Sequence, residues 1–170
     1  MSVVTERKWV GPGAVERLKI LQDTKTIAIV GASDKIERAS YFVATYLLSS
    51  STYDVYFVNP ILAGKGGTIL GHPVYASLAD IPVDIDMVDV FRRPDDTPAI
   101  AKEAAEIGAK YFWLQLGIWS DEAAEVAEDL GLQVVMDRCV KIEHARFHGG
   151  LNLAGFNTGE ISSKRQRLDA

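Results

Sequence analysis

The sequence predicts a doubly wound α/β domain: a mainly parallel, Rossmann-like sheet of about five or six strands with helices on both faces. Three observations carry that expectation. Short β-branched, apolar runs alternate with amphipathic helical stretches, the pattern of successive βαβ units. The run Ile27-Ala28-Ile29-Val30 is apolar at successive rather than alternate positions, as a strand buried on both faces requires. It stops at Gly31-Ala32-Ser33, a turn with almost no side-chain bulk, and a helical stretch follows from about Ser40 to Ser49. In a β-loop-α unit such a turn lets backbone N–H groups approach a phosphate, with the positive end of the helix dipole behind them.

The remaining elements follow in order. Residues 1 to 13, with Pro12 between two glycines, form an arm, and Val15, Leu18 and Leu21 mark the buried face of a helix over Ala14 to Leu21. After the glycine turn, Phe42, Val43, Tyr46 and Leu47 form one helical face, and Ser49 to Thr52 end that helix. Asp54 to Asn59 is a second buried strand, broken by Pro60. Residues 61 to 73 are glycine-rich but lack the Gly-Lys-Ser/Thr ending and following helix of a phosphate loop, so they read as a flexible surface loop. Val74-Tyr75 makes a brief third strand and Ser77 to Asp80 a single helical turn. Ile85 to Phe91 is the fourth strand; Asp86 and Asp89, three apart, fall on opposite faces and read as strand-end charges.

Thr97-Pro98 starts the next helix, with Thr97 as its N-cap, Ile100, Ala104 and Ile107 on its buried face, and Gly108 at its end. Tyr111 to Gln115 is a strand. The helix Asp121 to Leu130 is capped by Ser120 and stopped by Gly131. Gln133 to Met136 is the last strand, followed by Asp137-Arg138-Cys139 and a short helix around Lys141 to Phe147. One domain is expected over residues 1–150, with a polar tail over 151–170 that carries Lys164, Arg165 and Arg167.

Composition narrows the function classes. The 170 residues are 48% hydrophobic and 24% charged, the balance of an ordinary globular domain. No apolar run approaches the ~20 residues that span a bilayer, and the N-terminus lacks the apolar segment of a signal peptide. The single cysteine, Cys139, excludes an internal disulfide framework and agrees with a reducing compartment, so a cytoplasmic location is expected. A net charge of −5 gives no general attraction to nucleic acid or to an anionic membrane, so any anionic ligand must be held locally; the glycine turn and the later strand ends make a small-molecule nucleotide the expected one. A protein partner or a homo-oligomer is not readable from the residues.

In the doubly wound order the first strand lies beside the fourth, and the ligand crevice opens over the carboxyl ends of those strands. Gly31-Ala32-Ser33, Asn59-Pro60 and Phe91-Arg92-Arg93 converge there, flanked by Gln115-Leu116-Gly117. A nicotinamide-dependent oxidoreductase would show three spaced glycines in the first turn and an acid at the end of the second strand. This chain has one glycine in the turn and Asn59 in place of the acid. Asn bonds a ribose hydroxyl without repelling a phosphate on that ribose, and Lys35, Arg38 and Arg92 are cations able to meet phosphates.

Val30 to Ser33, Arg38, Ser40-Tyr41, Asn59-Pro60, Val88 to Arg92, Trp113 to Gly117 and Asp137-Arg138-Cys139 together resemble the small stand-alone CoA-binding proteins. Those are similar in turn to the CoA-binding domain of the succinyl-CoA synthetase α subunit. The resemblance runs from about residue 14 to 147 and implies a Rossmann-type fold that binds coenzyme A or an acyl-CoA. It points to Gly31, Ala32, Ser33, Asn59, Pro60, Val90, Phe91 and Arg92 around the nucleotide, with Arg38, Ser40, Gln115 and Gly117 as further candidates. The expected role is a non-catalytic sensor, carrier or accessory subunit; the alternative is an NAD(P)-dependent oxidoreductase. No catalytic residue is identified. Cys139, His144 and His148 lack a second clear pair of metal ligands, and Cys139 reads as a small buried apolar side chain or as a thiol able to exchange with that of CoA.

Overall fold

The computed structural model describes residues 6–148; the expected tail over 151–170, and with it the boundary at residue 150, lies outside the described residues. Six helices and seven strands alternate along them. They are α1 (Ala14–Asp23), β1 (Thr26–Val30), α2 (Ala39–Ser50), β2 (Asp54–Val58), α3 (Pro60–Gly64), β3 (Thr68–Ile69), β4 (His72–Tyr75), β5 (Met87–Val90), α4 (Thr97–Glu106), β6 (Tyr111–Leu114), α5 (Asp121–Asp129), β7 (Gln133–Val135) and α6 (Val140–His148). The strand order is β3-β4-β2-β1-β5-β6-β7, parallel throughout except for the β3–β4 pair. The first strand therefore lies between β2 and β5, and the winding reverses beside it as expected.

The apolar runs explain the two-sided burial. On one face Ile27, Ile29, Met87, Trp113 and Val135 pack under α1, α2 and α6 through Ile20, Leu21, Val43, Leu47, Val140 and Phe147. On the other, Ala28, Val30, Val88, Val90, Phe112 and Leu114 meet α4 and α5. Those two helices bring Ala101, Ala104, Ala123, Ala124 and Ala127, all buried, so their backbones lie close to the sheet. Each large side chain taken fully out of water, Trp113 or Phe57 for example, contributes about 1.5–3 kcal/mol.

Several local expectations are corrected. Residues 61–73 are not a loose loop: Asn59 caps α3, and β3 and β4 form a hairpin that buries Ile69. Its two turn residues, Leu70 and Gly71, have φ of 49° and 81°, the left-handed pair that matches strand twist in a tight hairpin. This hairpin supplies the seventh strand. In α1, Val15 is exposed, and Arg17 is buried instead, paired with the buried Glu143 of α6. Thr97 is not a cap; Asp96 holds that position, and the Thr97 hydroxyl donates to the Pro94 carbonyl at 2.6 Å.

The two aspartates of the fourth strand part company. Asp86 is a strand-end charge whose carboxylate accepts from the Lys25 N–H at 2.9 Å. Asp89 is not: it is fully buried between Ile29 and Trp113, and neither carboxyl oxygen has a hydrogen-bond partner. Burial pushes its pKa well above the ordinary value.

Candidate functional site

The crevice forms where β1, β2 and β5 end, and the chain leaves β1 through Gly31 at φ +84°. A Cβ there would stand 2.8 Å from the Phe91 carbonyl oxygen, so glycine is required both by the backbone conformation and by the close approach of the β5 end. Bulk at Gly31 therefore collides first with the protein's own backbone. The N–H groups of Gly31 and Ala32 are likewise engaged, both donating to the Val58 carbonyl at 3.2 and 3.3 Å. The glycine turn thus shapes the crevice without turning those two donors toward it.

Donors for an anion come from the next element. Arg38 holds the N-cap position of α2, in extended conformation, with no side-chain cap bond and no acid in the helix's first turn. Its carbonyl takes Tyr41 and Phe42 at 3.1 and 3.3 Å, while Ala39 and Ser40, the first two helical residues, have no intrahelical acceptor for their N–H groups. Both residues line the crevice, with Lys35 and Arg38 beside them. The helix end combines uncapped N–H groups, the positive end of its dipole and two cations.

The opposite wall is acidic. Asp95, Asp96 and Glu103 line it from the 3₁₀ turn Pro94–Asp96 and α4. Arg92 belongs to this wall, its guanidinium donating to Asp96 at 3.0 Å, so it is a paired cation rather than a free one. The hollow between the walls has a volume of about 840 Å³.

Nine of the twelve sequence-derived candidates line that hollow: Gly31, Ala32, Ser33, Arg38, Ser40, Asn59, Pro60, Phe91 and Arg92. Asn59, the expected ribose contact, is also engaged within the protein. Its side-chain oxygen accepts from Ile61 and Leu62 at 3.0 and 3.1 Å, and its amide donates to the Ala32 carbonyl at 2.7 Å, tying the second strand end to the first. Val90 does not line it, because alternation along β5 turns that side chain into the core under α4 and α5. Gly117 does not either; its N–H donates to the Asp137 carboxylate at 2.7 Å, and this bond, with Arg7, holds that carboxyl below its usual range. Gln115 accepts from the Val140 N–H at 3.0 Å and lines a second cavity instead.

That second cavity, about 550 Å³, escaped the sequence reading. It opens between the start of α2, the loop after β6 and the start of α6, and Cys139 is on its wall, half-buried rather than in the core. Phe42, expected on the buried face of α2, is exposed there. A helical period marks which residues share a face but not where that face runs out over a hollow.

Among the described residues no group of three or more His, Cys, Asp or Glu is placed to hold a metal, and His144 is within 2.8 Å of the Tyr46 hydroxyl. Among them, too, no helix is long and apolar enough to cross a membrane.

Comparison with known proteins agrees with this geometry. The uncharacterized protein YneT of Bacillus subtilis is 37% identical over 134 residues, covering 79% of this chain and 96% of that one. A hypothetical protein from Pyrococcus horikoshii superposes with a TM-score of 0.75 at 38% identity, over 84% of this chain and 98% of that one. A dinucleotide-forming acetyl-coenzyme A synthetase from Ca. Korarchaeum cryptofilum shares the fold at a TM-score of 0.57 and 20% identity, over 65% of this chain and 25% of that one. The model of the CoA binding domain matches residues 25–145, from the residue before β1 into α6, which takes in every strand of the sheet and both walls of the crevice; the chain belongs to the CoA binding domain family.

Proposed function

We propose that the protein binds coenzyme A or an acyl-CoA through its phosphorylated adenosine end, as a non-catalytic sensor, carrier or accessory subunit. The observation that carries this reading is the uncapped start of α2, which brings the N–H groups of Ala39 and Ser40 to the crevice beside Lys35 and Arg38. An anion there replaces the missing cap, and the guanidinium of Arg38 adds a charge-assisted pair. The acidic wall of Asp95 and Glu103 suits ribose hydroxyls and the adenine amine, which donate hydrogen bonds. At the β2 end no carboxylate is present to repel the phosphate that CoA carries on its ribose.

Calorimetry with CoA, dephospho-CoA, NADH and NADPH tests the reading. CoA is expected to bind more tightly than dephospho-CoA, with NADH weaker than both. Tight NADH binding with no response to CoA favours the oxidoreductase alternative and ends the proposal.

A further inference from the structure

The second cavity carries an inference that rests on the CoA-binding reading and deepens it. Four large apolar side chains at its rim are exposed, although large apolar groups ordinarily avoid water when they converge. Ile36, Phe42, Leu116 and Ile142 are 76%, 61%, 63% and 48% exposed. They come from four separate segments, the loop after β1, α2, the loop after β6 and α6, so no single element's amphipathicity accounts for them. Val43 and Ile118 extend this apolar lining, while Glu37, Gln115 and Lys141 bring polar groups to the same cavity, the Lys141 ammonium lying 4.7 Å from the centre of the Phe42 ring.

The cavity is not isolated. Arg38, Ala39 and Phe91 line it and also line the nucleotide crevice, so these residues form a common wall between the two hollows. Arg38 and Ala39 are where the uncapped helix end meets an anion. A molecule with its diphosphate at that point and an extended arm on one side has the apolar cavity as its neighbour, and a ligand that joins a nucleotide to an apolar group through one flexible chain matches that arrangement.

We propose that this cavity receives the acyl end of an acyl-CoA, with an uncharged aliphatic acyl chain among Phe42, Leu116 and Ile142, while the nucleotide end occupies the crevice. Ligand selection then follows hydrophobic transfer. Each methylene of the acyl chain taken into the cavity tightens binding by about fourfold, until the space is filled.

The test is calorimetry on the full chain with CoA, acetyl-CoA, butyryl-CoA and hexanoyl-CoA, together with sedimentation of the free protein at the same concentrations. The expected result is a monotonic rise in affinity from acetyl-CoA to hexanoyl-CoA. In the Leu116→Asp variant, whose exposed side chain the fold does not need, the rise flattens and hexanoyl-CoA binds no better than acetyl-CoA. Equal affinity for CoA and hexanoyl-CoA in the unaltered protein overturns the inference while leaving the CoA-binding reading in place. Absence of binding by every one of the four compounds removes both. A dimer that dissociates in Leu116→Asp, with no discrimination among acyl chains, assigns the apolar rim to a second copy of the chain and also overturns it.

Discussion

The starts of α2 and α5 occupy equivalent places, each opening a helix after a parallel strand, yet they are finished in opposite ways. At α5 the Ser120 hydroxyl oxygen accepts from the Ala123 N–H at 3.0 Å, and Asp121 and Glu122 put negative charge against the dipole. Asp121 also accepts from the Trp9 and Lys8 N–H groups at 2.8 and 3.1 Å, docking the N-terminal arm. At α2 none of this is present: no cap bond, no acid, and Lys35 and Arg38 adding positive charge. The first end is satisfied from within the chain. The second has no cap of this kind among the described residues, and the proposed CoA phosphate would supply it.

The contrast is broken most severely by closing the open end. Arg38 already has the extended conformation of an N-cap, so Arg38→Asp supplies both a cap and an acid. CoA affinity is expected to fall on the order of a hundredfold, about 2.7 kcal/mol, while the melting temperature rises slightly. Unchanged affinity in calorimetry would place the phosphate elsewhere.

Asp89 sharpens the comparison from the core, where an unsatisfied group has no ligand to complete it. Burial raises its carboxyl pKa above the ordinary 3.8, so the folded state holds the proton more tightly than the unfolded chain does. The stability linked to that proton is complete below pH 3.8 and is lost as the pH rises toward the folded value. Asp89→Asn is therefore expected to raise the melting temperature at pH 7 and to flatten its decline above pH 4. A melting temperature lower at pH 7 than that of the unaltered protein would contradict this account.

Opening the closed end is a smaller change. Ser120→Ala is expected to cost about 1 kcal/mol in denaturant unfolding and to leave CoA affinity alone. Loss of CoA binding in that variant would erase the distinction between the two ends. The smallest effect is in pH dependence. Bonds from Trp9, with further help from Lys8 and Trp119, hold the Asp121 carboxyl below its usual range. The docking of the arm is thus present above the ordinary carboxylate pKa and lost as the pH falls through the lowered value. Trp9 fluorescence is expected to change across that acid window in the unaltered protein and not in Asp121→Asn.

Much of the fold was legible because parallel strands buried on both faces leave uninterrupted apolar runs. Ile27 to Val30 and Tyr111 to Leu114 could hardly be anything else, and the doubly wound order followed from alternation with helices. The β3–β4 hairpin was hidden by glycine content and because its turn, Leu70-Gly71 between Ile69 and His72, lacks the Asn-Gly or Asp-Gly pair that usually marks a two-residue turn. Asp89 was misread because a charge in an apolar run suggests an end, and only the third dimension shows β1 and β6 on either side of it. Crevice residues were legible wherever backbone position decides, as at Gly31 and Pro60. They were less so where a polar group had two possible partners: the Asn59 side chain joins two strand ends, and the Gly117 backbone N–H serves the loop that Asp137 holds. The second cavity has no motif, since its apolar lining is assembled from segments far apart in sequence.

The most direct measurement is a nitrogen–proton correlation spectrum followed during titration with CoA. The account predicts that the amides of Ala39 and Ser40 shift early and strongly, as expected when they begin to donate to phosphate oxygens, while Asp121, Glu122 and Ala123 stay where they are. Shifts confined to the start of α5, or CoA bound with Ala39 and Ser40 unmoved, would contradict it.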